Sequence, residues 1–102
     1  MKTIGQILRD KRNELGLLLR QVSACVEIDP AILSKIERNE RKPSKKVLEK
    51  LANVLELDKD ELLVQFISDK IAYEIADEDF ANQVLKVAEK KVRFLKSHPI
   101  RS

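Results

Sequence analysis

The sequence of 102 residues holds one cysteine, one histidine, two glycines, three prolines, one tyrosine, three phenylalanines and no tryptophan. Each shortage closes off a class of protein. A lone thiol, Cys25, excludes an intramolecular disulfide. With His98 as the sole imidazole, there is no Cys/His set for an ordinary zinc centre, so neither a metal nor another cofactor is expected. Scarce glycine and proline argue against the many tight turns of a β-sandwich or barrel. No run approaches the roughly 20 apolar residues of a membrane span. Charges at Lys2, Arg9 and Asp10 stand where a signal peptide would carry its apolar stretch, so a cytoplasmic location is expected. A nucleophile-base pair, a phosphate loop and a metal motif are all missing, and the chain is not read as an enzyme.

What is present is apolar and charged: 43% of residues are hydrophobic and 36% carry charge. That suffices for a core, and Leu, Ile, Val, Ala, Lys and Glu in this proportion favour an all-α chain of one compact domain with an appendage. The net charge of +3 is unremarkable, but its distribution is not even. Residues 1–46 carry eleven Lys/Arg against six Asp/Glu, a net +5, and residues 47–102 carry nine against eleven, a net −2. The first half is the one suited to phosphate.

Helical periodicity marks a first helix over residues 3–15, with Ile4, Ile7, Leu8 and Leu15 on one side and Gly16 as its stop. A short second helix runs from Leu18 to Val26, with Val22 and Val26 inward. Asp29-Pro30 opens a third, because Asp accepts from unpaired N–H groups and proline gives up a donor that has no partner there. Its inward face is Leu33 and Ile36. Ser44 caps a fourth helix with Val47, Leu48, Leu51, Ala52, Val54 and Leu55 facing the core. Asp58 and Glu61 have the spacing of a capping box for a fifth, with Leu62, Leu63, Phe66, Ile67, Ile71 and Ile75 inside. Asp77 is expected to cap a last amphipathic helix carrying Phe80, Val84, Leu85, Ala88, Val92 and Leu95, and the tail from Ser97 through Pro99 is expected to fray.

Two short helices joined through Glu27 and Ile28 have the dimensions of a helix-turn-helix, although helical hairpins that bind nothing share them. The phrases IGQILRDKRNELGL and DPAILSKIERNERKPSKKVLEKLANVLELDKDELL are more specific, above all LSKIERNERKPS at Leu33 to Ser44. Over about residues 4–64 the sequence resembles the Cro and phage-repressor helix-turn-helix family. The resemblance implies a five-helix DNA-binding domain over residues 1–68 and a C-terminal helical extension over 69–102. Its implied function is a cytoplasmic, nucleoid-associated transcriptional regulator that binds a near-palindromic double-stranded DNA operator as a homodimer and controls its own operon. The wording around LLLRQVSACVEIDPAILSKIERNERK with SDKIAYEI also resembles a subgroup that controls restriction-modification operons.

Carried over residue by residue, the resemblance places Ala31, Ser34 and Lys35 where the family reads base edges, with Pro30 flanking. Lysine can donate to guanine, serine can donate or accept, and an alanine methyl can meet a thymine methyl. Arg38, Arg41, Lys42, Ser44, Lys45 and Lys46 correspond to phosphate contacts, and Arg12 with Glu37 to an internal ion pair. Three features depart from the family, one of them the extension beyond about Val64, which is longer than the minimal domain. Leu18 and Leu19 replace its usual Ser/Thr-Gln, so either Arg20 and Gln21 take over that phosphate contact or the two leucines pack on a partner surface. Glu27 stands where the family's turn carries glycine, implying strain or an altered turn.

The apolar stripe of Phe66, Ile71, Ile75, Phe80, Val84, Leu85, Ala88, Val92 and Leu95 is expected to form a dimer interface, against the plainer alternative of capping the domain. An antitoxin-like role, with the C-terminal helices holding a protein partner, is the other class of function. Asp77, Glu78 and Asp79 are read as charges that suit a helix start, Cys25 as an inert thiol, and His98 receives no role.

Overall fold

The computed structural model describes residues 2–98 and contains, among them, helices and no strand. In chain order these are α1 (Ile4–Glu14), α2 (Leu19–Cys25), α3 (Pro30–Glu37), α4 (Lys45–Val54), α5 (Lys59–Ile75) and α6 (Ala81–Ser97). The expected tail around Pro99 lies outside the described residues. The chain divides into two compact units, Met1–Lys70 and Ile71–Ser102.

Polar side chains start α1, α3, α4 and α5, and Asp29, Ser44 and Asp58 do so as the sequence suggests. Thr3 Oγ1 accepts from the Gln6 N–H at 3.2 Å, while the Gln6 carboxamide takes the Thr3 N–H at 3.3 Å. Asp29 Oδ1 accepts from Ala31 N–H at 2.8 Å, Ser44 Oγ from Val47 N–H at 3.1 Å, and Asp58 Oδ1 from Glu61 N–H at 2.9 Å. Each such bond satisfies one of the donors that a helix start leaves without an internal partner. Leu18 has no acceptor to offer, so only the reverse half of the motif forms at α2, with the Gln21 carboxamide oxygen taking Leu18 N–H at 2.8 Å.

The stops share one geometry. Gly16, Glu27, Asn39 and Glu56 follow α1 to α4 with φ of 68°, 59°, 60° and 56°. After each, the next N–H reaches back to the carbonyl five residues earlier: Leu17 to Arg12, Ile28 to Ser23, Glu40 to Lys35 and Leu57 to Ala52, at 2.8–3.0 Å. These are Schellman ends, and three of them are followed by an apolar residue, Leu17, Ile28 or Leu57, that packs against the core.

That core lies in the first unit. Ile4 and Leu8 of α1, Val22 of α2, Leu33 and Ile36 of α3, and Leu48, Leu51 and Ala52 of α4 meet Val26, Leu55, and Leu62 and Phe66 of α5. Phe66 was expected at a dimer interface, but it is only 6% exposed. It stands one turn after Leu62 on the inward side of α5, and the Lys70 ammonium sits 4.3 Å from its ring centre. Beyond it the expected inward face ends: Ile67 and Ile71 are exposed.

In the second unit Asp77 does not cap α6. Backbone bonds from Glu78 N–H to Ile75 O at 2.9 Å and from Ala81 N–H to Glu78 O at 3.3 Å turn the chain, and α6 begins at Ala81. No residue of α6 is buried, and Phe80, Val84, Leu85, Val87, Val92, Phe94 and Leu95 are all exposed. No helix among the described residues is long and apolar enough to cross a membrane.

Candidate nucleic-acid interface

The helix α3 is fixed from beneath by Leu33 and Ile36 and turns its other side outward. Pro30, Ala31 and Lys35 are exposed there and Ser34 is half-buried. Ser34 uses its backbone carbonyl on the Arg38 guanidinium, whose Nε lies 3.3 Å away, so its hydroxyl is not consumed by that contact. A lysine, a hydroxyl and a methyl one turn or less apart on a helix face match the chemistry that base edges present in a major groove.

Behind this face, Arg12 Nε and Nη2 donate to the two Glu37 carboxylate oxygens at 2.8 and 3.0 Å, and Nη1 donates to Leu17 O at 3.0 Å. The side chains are 13% and 6% exposed. The fork therefore joins α1, the α1–α2 turn and the end of α3. Hydrogen bonding to Glu37 holds the Arg12 guanidinium above its ordinary pKa, against the lowering effect of burial.

This pair also shapes the surface charge. Six cations, Lys35, Arg38, Arg41, Lys42, Lys45 and Lys46, lie within twelve residues, and Glu37 is turned away from them. Glu40 remains as the exposed carboxylate of the segment, 2.9 Å from Arg38 Nε. Arg41, Lys42, Lys45 and Lys46 are exposed, and the intervening Pro43 is buried, which pins the loop to the domain between them. Ser44 stands at the start of α4, whose first-turn N–H groups and partial positive charge add to the field of the lysines.

A sequence profile described as helix-turn-helix matches residues 8–62, just over half of the chain and the whole stretch from α1 into α5. The chain belongs to the helix-turn-helix family. Among relatives of this helix-turn-helix chain is the transcriptional regulator ClgR of Mycobacterium tuberculosis, 34% identical over 56 residues, which are 55% of this chain and 50% of ClgR. The chain thus spans about half the length of the curated relatives it matches. A crystal structure of the biofilm regulator SinR in complex with DNA is 35% identical, covering 60% of this chain and 98% of that one with a TM-score of 0.55. ClgR of Corynebacterium glutamicum, at 23% identity, covers 95% of this chain and 92% of its own with a TM-score of 0.57, a likeness of fold alone.

In this helix-turn-helix chain, α2 opens on two leucines, Leu18 at its cap and Leu19 in its first turn. Leu19 is half-buried and packs on the core. Leu18 is 48% exposed. Arg20 and Gln21 are exposed on the same short helix, and Gln21 keeps its amide N–H₂ to donate after its oxygen has closed the helix start. Thr3, Gly5 and Asn39 also meet at the end of α3, where no periodicity in the sequence marks them. Asn39 Oδ1 takes the Gly5 N–H at 3.2 Å, and Asn39 Nδ2 donates to Thr3 Oγ1 at 2.6 Å. The sequence signal was there in part, since asparagine is common in the left-handed position after a helix.

Proposed function

We propose that the protein is a DNA-binding transcriptional regulator rather than an enzyme. In this reading Ala31, Ser34 and Lys35, flanked by Pro30, read base edges in the major groove. Arg20, Gln21, Arg38, Arg41, Lys42, Ser44, Lys45 and Lys46 hold phosphates. The observation that carries it is the cationic segment Lys35–Lys46, displayed around an outward helix face after Glu37 has been withdrawn to Arg12. The likeness to SinR, whose structure holds DNA, supports it.

The N-terminal unit is the DNA-binding part and the C-terminal one the dimerisation part. The exposed apolar side of α6, with Ile71 and Ile75 near the end of α5, is the surface offered to a second copy. Two copies would set two α3 helices on half-sites about 34–36 Å apart, or a multiple of that, on a near-palindromic operator, including the protein's own. Selection of bound duplexes from a random pool tests this. A two-fold symmetric winner is expected. Salt-sensitive binding without any enriched sequence would overturn operator recognition and leave the C-terminal side as the site of a different protein partner.

A further inference from the structure

Asn39 occupies the left-handed position that ends α3, with φ of 60°. Glycine would adopt that backbone with less strain, so the asparagine amide calls for a separate explanation. Its two ends are both engaged 34 and 36 residues away in sequence: Oδ1 on Gly5 N–H at 3.2 Å and Nδ2 on Thr3 Oγ1 at 2.6 Å. Gly5 makes this reach feasible. A Cβ there would lie 2.5 Å from the carbonyl oxygens of Ile36 and Glu37 and 2.8 Å from Asn39 Oδ1, so the α1 backbone rests directly on the end of α3.

The clamp sits at the joint between the two halves of the candidate interface. Lys35 lies one turn before it, and Arg38, Arg41 and Lys42 lie on either side. We propose that Asn39 is a positioning residue for DNA recognition: its amide fixes the direction in which the chain leaves α3, and so holds the base-facing lysine and the phosphate-facing loop in one register. Asn39 acts through those residues and does not itself touch DNA. The inference rests on the DNA-binding reading. Base and phosphate contacts must be satisfied together only in the specific complex, whereas a loosely held non-specific complex uses the phosphates alone. Loss of the clamp makes the protein order that joint on binding, a cost that falls on the specific complex.

The test compares affinity for the duplex selected by the wild type and for a scrambled duplex, alongside the thermal midpoint. Asn39→Gly keeps the left-handed backbone and removes both amide bonds. Asn39→Asp keeps the acceptor for Gly5 and loses the donor to Thr3. Leu55→Val, a core change away from the clamp, serves as the stability control. The expected result for Asn39→Gly is a loss of about tenfold on the selected duplex, with about twofold or less on the scrambled one. Asn39→Asp should fall between this and the wild type, and Leu55→Val should keep the wild-type ratio of affinities. An unchanged ratio in Asn39→Gly, or an equal fall in the ratio for Leu55→Val at matched midpoint, overturns the positioning role alone. A wild type that prefers no duplex overturns the DNA-binding reading with it.

Discussion

Glu37 is a buried acid on α3, and it is acceptable there because Arg12 meets both of its oxygens. Taking away one member strands the other charge, so Arg12→Leu should lower stability by about 3–5 kcal/mol in chemical denaturation, and Arg12→Leu with Glu37→Leu by much less. The raised pKa of Arg12 fixes the pH dependence. Its contribution is complete below the unfolded-state value and is lost only as pH climbs through the higher folded-state one, so Arg12 should add no slope to stability between about pH 6 and 10. Gly5 is the second residue with no substitute. Gly5→Ala drives a methyl into the carbonyls of Ile36 and Glu37, and a loss of about 1–3 kcal/mol is expected, seen as a lower midpoint. The Arg12–Glu37 pair was legible through resemblance. The Gly5–Asn39 approach was not, because a small residue and a helix stop 34 positions apart leave no periodic trace in a single sequence.

Four consecutive helices ending in Schellman motifs explain how a short chain turns sharply so often with only two glycines. Gly16 was legible as a stop for that reason. Glu27 was legible as a strained turn only against the family's glycine, and Glu56 not at all, since glutamate carries no signal for a positive φ. Both pay a steric cost that glycine avoids. Glu56→Gly should therefore stabilise the domain, by about 0.5–1 kcal/mol after glycine's larger unfolded-state entropy is counted, and Glu27→Gly should behave alike. A fall in midpoint for both would mean that the carboxylates make contacts that outweigh the strain. Starts were easier to read than stops, because Asp29, Ser44 and Asp58 each act through a side chain visible in the sequence. Asp77 misled for the same reason: its composition suits a cap, but backbone turns govern that segment.

At the scale of the whole molecule, the periodicity that gives the first unit its core is the same periodicity that leaves α6 bare. Val84, Leu85, Val92 and Leu95 remain 42–51% exposed although their spacing is that of a buried stripe. Period alone does not say against what a stripe packs, which is why Phe66 was grouped with the interface when it belongs to the core. If a second copy covers α6, Leu85→Lys and Val92→Lys should each shift the protein to a monomer in sedimentation and remove the dependence of its midpoint on concentration. Dimers unaffected by both changes would place the contact elsewhere. The uneven charge was legible from composition, and the pairing of Glu37 with Arg12 through resemblance, but the burial of that pair, with side chains 13% and 6% exposed, needed the fold.

The proposed DNA complex divides labour between Lys35 on α3 and the cations that follow it. Equilibrium binding of the wild type, Lys35→Ala and Arg41→Ala to the selected duplex and a scrambled one, over a range of salt, measures it directly. Lys35→Ala should lose about 1–3 kcal/mol on the selected duplex, with little change on the scrambled one and relaxed preference at one position per half-site. Arg41→Ala should weaken both duplexes alike and reduce the salt slope by about one. Losses of the same kind and size from both substitutions would contradict the division between base reading and phosphate anchoring.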